Sequence, residues 1–203
     1  TGDAPYFGDP ANNSINLRNT FMHEIGHALG LGHIDSDTSA FLMEPFSDVS
    51  YDGPQMDEVR GLQWLYGDVN ERAPAGANDS FGTATPLGVL AAGQTIAIGL
   101  DGLTGTTVDS GESDFLSIAN QNDVDVFAVE LTAGALLSVT ATPTGPNYRE
   151  RITGSGNAFA TTRASRASDI ALELYGPGMD SPQLLASASS APLGQAESIA
   201  DVV

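Results

Sequence analysis

The chain has 203 residues, 41% hydrophobic and 16% charged, enough for one large or two modest domains, and no stretch approaches the roughly 18 consecutive apolar residues of a membrane helix. Its 26 acidic residues stand against seven arginines and no lysine, for a net charge of -19, so a phosphate backbone would be repelled and nucleic acid is not an expected partner. With no cysteine there is neither a disulfide nor a thiolate ligand, and any metal must be held by His, Asp or Glu.

In chain order, the sequence opens at Thr1 with no initiator Met and no signal-like segment. Leu17, Phe21, Ile25 and Ala28 then recur at helical spacing, with Ser14 or Asn16 as start cap and a stop at Gly30. That apolar stripe is expected to need a sheet to cover it, since an isolated helix of this length is marginal in water, and residues 1–16 can supply little more than one strand of it. A second helix is predicted in "GPQMDEVRGLQWLYG", where Met56, Val59, Leu62 and Leu65 keep the helical period, Asp57 and Glu58 favour the N-terminal end and Gly67 follows the last apolar residue. The Gly, Pro, Asn and Asp of "GDVNERAPAGANDS" suit an exposed connector. The expected division is therefore residues 1–67, a linker over 68–77, and a second domain over 78–203.

After the connector the period changes to two. Phe127, Val129 and Leu131, then Leu137, Val139 and Ala141, then Ile170, Leu172 and Leu174 read as half-buried strands separated by turns such as "LTAG" and "YGPG". With no helix of useful length in this part, an antiparallel sandwich is the expected architecture. The run "RER", residues 149–151, reads as a loop rim. The closing "ESIADVV" reads as a strand with no closing turn, so both chain ends read as cut. Asp123, Asp125 and Asp169 carry the hard oxygens that suit calcium; solvated strand-end carboxylates are the alternative.

All three histidines fall within "HEIGHALGLGH", residues 23–33. On a helix His23 and His27 stand one turn apart on one face, within reach of one ion, with Glu24 adjacent but not required as a ligand. A positive φ at Gly30 would end the helix abruptly and let His33 supply a third nitrogen from outside it. Three protein ligands leave a fourth position for water, the mark of a catalytic zinc as opposed to a structural one. A bare His-Glu-x-x-His arises by chance in roughly one chain in a few hundred, but the extended His-Glu-x-x-His-x-x-Gly-x-x-His only on the order of once in ten million starting positions. Isolated structural histidines are therefore the weaker reading.

This stretch resembles the zinc signature of the metzincin metallopeptidases, whose motif is followed by a methionine turn; "FLMEP" supplies Met43. The Met-Glu-Pro ending and "MDEVRGLQWLYG" resemble the matrixin branch, whereas a serralysin-like member would place Tyr where Pro45 stands. The resemblance implies an α+β zincin-like part ending in the zinc helix, the Met-turn and a closing helix. It also implies that residues 1–67 hold only the last portion of such a domain, with one sheet strand near "DAPYF". It implies zinc held by His23, His27 and His33, Glu24 as general base, Gly30 and Met43 as structural support, and a protein or peptide substrate outside the cell. The second, structural zinc of collagenase-type matrixins is not expected here. From about Asn78 onward, "NDSFGTATPLG", "NDVDVFAVELTAGALLSVTATP" and "DIALELYGPG" are similar to the bacterial pre-peptidase C-terminal domain, a small β-sandwich appended to secreted peptidases. The function so implied is that of a secreted zinc endopeptidase. A non-catalytic binding or adhesion protein with a vestigial zinc centre is the alternative, and the retained Glu24 speaks against it.

Overall fold

The computed structural model describes residues 14–37, 40–72, 76–102, 105–109, 111–120, 122–152, 154, 156–177 and 182–202. The strand expected near "DAPYF" lies outside them. The chain forms two compact units, the first made of Thr1–Leu65, Asp101–Ser113 and Gly145–Ala164 and the second of Tyr66–Leu100, Asp114–Thr144 and Ser165–Val203.

In the first unit, α1 spans Ile15–Ala28 and α2 begins at Met56 and runs to Tyr66. Ser14 occupies the start position of α1 but caps it with no side-chain hydrogen bond, and Asn16 is buried inside the helix. The stripe expected to be covered is open: Leu17 is 51% and Phe21 66% exposed, and Ile25 and Ala28 are exposed as well. The buried face carries Asn16, Asn19 and Gly26 instead. The cause is polar. Asn19 donates through Nδ2 to the carbonyls of Asp48 (2.8 Å) and Tyr51 (3.0 Å) and accepts from the Gly53 amide (2.8 Å), so the loop before α2 is drawn onto this side of the helix.

The loop after α1 is held by α2 through one buried carboxylate. Glu58, 2% exposed, accepts from the Met43 amide at 2.9 Å and from the Gln55 amide at 2.8 Å. It thereby satisfies an orphan donor at the start of its own helix while fixing the turn at Met43. Burial pushes its carboxyl pKa up, and the amides that bond it partly oppose that.

Around this turn sits a small apolar core of Ile34, Phe41, Met43 and Tyr148, with Leu31 beside it. Tyr148 belongs to β4 (Asn147–Arg151), which pairs antiparallel with β5 (Phe159–Arg163) in the register Tyr148↔Thr162. The run expected as a loop rim, Arg149 to Arg151, is thus a strand. The hairpin lies in the first unit because Tyr148 is 4% exposed, packs edge-on to Phe41 with ring centroids 4.8 Å apart, and bonds through its hydroxyl to Asp57 and Arg60 of α2. The division expected at 68–77 meets only the passage from Leu65 to Tyr66; two later segments join the first unit.

The second unit contains β1 (Thr85–Leu90), β2 (Phe127–Leu131), β3 (Leu137–Ala141), β6 (Leu172–Tyr175), β7 (Leu184–Ala188) and β8 (Glu197–Val202). Among the described residues these pair as separate two-stranded ladders, β3 with β8 and β6 with β7 antiparallel, but β1 with β2 parallel. The parallel pair departs from the all-antiparallel expectation, and the long connection between β1 and β2 permits it. Period-two burial holds at Leu172 and Val139, each half-buried between exposed neighbours, with Leu137 and Ile199 buried.

Glu58→Ala would leave the Met43 and Gln55 amides without their acceptor, at a cost of about 1–3 kcal/mol each. Urea unfolding of the variant should show a loss of that order, with Glu58→Gln less affected because one acceptor oxygen remains; equal stability of Glu58→Ala and the parent would contradict this role.

Candidate metal centre

The three histidines converge. Nε2 of His33 lies 3.2 Å from Nε2 of His23 and 3.1 Å from Nε2 of His27. Two come from consecutive turns of α1; the third comes from the chain beyond it, and the helix end explains how. Gly30 has φ 98°, the Gly30 amide bonds to the His27 carbonyl (3.0 Å) and the Leu31 amide reaches back to the Gly26 carbonyl (2.9 Å). That paired closure with a left-handed residue stops a helix and reverses the chain, and only glycine enters the conformation without strain.

The donor set fits a divalent ion. Nδ1 of His23 meets the Leu42 carbonyl at 2.8 Å and Nδ1 of His27 meets the Leu31 carbonyl at 3.0 Å. A carbonyl only accepts, so both rings are donors at Nδ1, and in their neutral form each turns an Nε2 lone pair toward the shared centre. Nitrogens spaced this way match the edges of a tetrahedron around an ion about 2.0–2.1 Å from each. His23, His27 and His33 could together hold a metal.

Met43 is 2% exposed, and its Sδ and Cε lie where a Cβ on Gly26 would be. Gly26, the residue before His27, therefore lets the Met-turn approach the helix closely. The sequence signature leaves this position free, so it carried no signal of its own. Glu24 is exposed on α1 and, with His23, borders a recess of about 150 Å³ also lined by Asn19, Thr20, Pro45 and Tyr51. Burial and the nearby Glu58 carboxylate raise the pKa of the Tyr51 hydroxyl, which donates to the Phe41 carbonyl at 2.6 Å.

A second group of oxygens lies in the second unit. Asp68, Glu71 and Asp125 place carboxylate oxygens within 4.8 Å of one another, as do Glu71, Asp79 and Asp123. Asp169 belongs to neither group. Burial, then the charges of Asp68 and Glu71, push the Asp125 carboxyl up to about 7. Asn78, 1% exposed, faces Asp125 with both amide atoms unbonded, and Asp125 Oδ1 and Glu71 Oε1 are also buried without partners. Asp68 and Glu71 fall in the segment 68–77 expected as a linker.

Residues 3–67 match the family model of the matrixin peptidases. Matrix metalloproteinase-25 of Mus musculus is 41% identical over 75 residues, which make up 34% of this chain and 12% of that protein. No solved structure matches the chain. The matches support a matrixin-like metallopeptidase part over the residues that hold α1, the Met-turn and α2, and at family level they suggest a zinc metalloendopeptidase.

Gly30→Val would force a β-branched residue to positive φ, at about 1–3 kcal/mol. Relaxing that turn swings His33 away, so a zinc titration should show weaker binding; affinity equal to the parent in a folded variant would show that the turn does not place the ligand.

Proposed function

We propose that the first unit is a zinc-dependent endopeptidase centre in which His23, His27 and His33 hold the ion and Glu24 is the general base. The convergence of the three histidines, with His33 Nε2 3.2 Å from that of His23 and 3.1 Å from that of His27, carries this reading. A zinc ion held by these residues would supply a water of pKa roughly 7 and a Lewis acid for a peptide carbonyl. Glu24, beside His23 and open to solvent, takes the proton of the attacking water and returns it to the departing amine. Met43 and Gly30 keep the ligands in place, the first beneath the helix and the second at its end. The substrate is a peptide or unfolded protein outside the cell, and the strand-rich remainder is a small sandwich domain of the kind appended to secreted peptidases.

In the same reading, calcium is the second cofactor. The carboxylates that would hold it are Asp68, Glu71 and Asp125, with the amide oxygen of Asn78 beside them, or the adjoining group Glu71, Asp79 and Asp123, rather than the Asp169 named from sequence. Hard oxygens suit that ion, and the unbonded buried oxygens of Asn78, Asp125 and Glu71 are what it would satisfy. Without calcium, the raised Asp125 carboxyl stabilises the fold most fully below its ordinary value of 3.8, and that contribution is lost as pH rises through about 7.

Glu24→Ala should lower hydrolysis of an unfolded protein substrate by at least about 100-fold while bound zinc stays at the parent's level. Near-parent turnover would show that Glu24 is not the base. For calcium, the rise in melting temperature on adding millimolar Ca²⁺ should be larger at neutral pH than at pH 4, and Asn78→Ala should diminish it; an equal rise at both pH values would contradict the site.

A further inference from the structure

Of the three ligands, His33 is the one the helix does not hold. It is exposed, and its position depends on the segment from Ile34 to Asp37 that follows it. That segment has partners on two sides. Toward the Met-turn, the Ile34 amide bonds to the Met43 carbonyl at 3.0 Å and the Ser36 amide to Glu44 Oε1 at 2.7 Å. On the other side is β4. The Asp37 amide bonds to the Arg149 carbonyl at 3.1 Å, the Arg151 amide bonds to the Asp35 carbonyl at 2.7 Å, and Ser36 and Glu150 form an antiparallel bridge.

The side chains repeat this pattern. Arg151 pairs with Asp35 at 2.5 Å and Arg149 with Asp37 at 3.1 Å. Both guanidinium groups lie against the ring of Phe159 on β5, at 5.1 and 5.3 Å from its centroid, so one aromatic ring helps to hold two cations near two carboxylates. Arg151 also donates to the Gly156 carbonyl (3.0 Å) and to Asn157 Oδ1 (2.8 Å), which fixes its orientation across the hairpin. Two of the chain's seven arginines are thus committed to the four residues after His33. None of β4 or β5 lies within residues 3–67, the part matched by the matrixin model.

We infer that the β4–β5 hairpin is a built-in clamp on the third metal ligand, with Arg151 as the positioning residue that acts on His33 through Asp35. The inference rests on the metal reading proposed above. The pair itself has partly exposed side chains, at 36% and 44%, and such pairs contribute at most about 1 kcal/mol to folding. Removing it should therefore leave the chain folded while loosening the ligand, because outer partners of metal ligands commonly change metal affinity by roughly 10–100-fold. Plain structural glue would behave differently: it would move the unfolding midpoint and leave the geometry at the ion unchanged.

The test uses the full chain, with Zn²⁺ affinity and the visible absorption of Co²⁺ in its place as readouts, the latter reporting coordination geometry. Arg151→Gln should bind zinc about tenfold more weakly with an altered cobalt spectrum, at near-parent helix content. Arg151→Lys, which keeps the charge toward Asp35, should recover the parent spectrum and most of the affinity. Asp35→Asn should match Arg151→Gln, and the double variant should be no worse than either, as expected for residues acting as one unit. Should Arg151→Gln not fold, Arg149→Gln, one rung along the same ladder, takes its place with the same expected result. Parent-like affinity and spectrum in the folded Gln variant would overturn the clamp while leaving the metal centre intact. A parent chain that gives no cobalt spectrum at all would overturn the metal reading, and the clamp with it.

Discussion

Three converging imidazole nitrogens, that of His33 lying 3.1–3.2 Å from the other two, form the constraint on which the rest of the first unit depends. Two of the rings have committed their Nδ1 protons to the Leu42 and Leu31 carbonyls, so in the neutral state their facing nitrogens are acceptors. His33 Nε2 can donate at most one proton and cannot satisfy both. A cation with vacant coordination positions satisfies all three, which is why the cluster reads as a metal centre rather than as a hydrogen-bonded histidine group.

Much of the surrounding structure serves that spacing. The α1 periodicity sets His23 against His27, and the left-handed Gly30 brings the chain back for His33. The close approach at Gly26 admits Met43 beneath the helix, and Glu58 ties the Met43 amide to α2. These contacts are polar or small, and the unit's apolar core is correspondingly modest: Ile34, Phe41, Met43 and Tyr148. One of those four comes from β4, so a segment distant in sequence is integral to the packing beneath the Met-turn.

What could be read from the sequence was what is local. The histidine spacing, the glycine after the helix and the acidic start of α2 are short-range patterns whose physical consequences follow within a turn or two. The misread features are non-local. Arg149 and Arg151 looked like a loop rim because their partners, Asp37 and Asp35, lie 112 and 116 residues away. Asp68 and Glu71 looked like solvated connector residues because Asn78 and Asp125 complete their cluster only after folding. The spacing of Leu17, Phe21 and Ile25 located α1, but the loop before α2 binds another face through Asn19, a residue that helical periodicity passes over. Period-two alternation located strands such as β3 and β6 but carries no information about partners, and the parallel pairing of β1 with β2 was therefore out of reach.

The centre itself is open to one direct measurement, the zinc-edge X-ray absorption of the purified chain. The account predicts one zinc per chain with three nitrogens at about 2.0–2.1 Å and a single oxygen completing a tetrahedron. A first shell made only of oxygens, as the carboxylates of the second unit would provide, or no stoichiometric zinc at all, would contradict it.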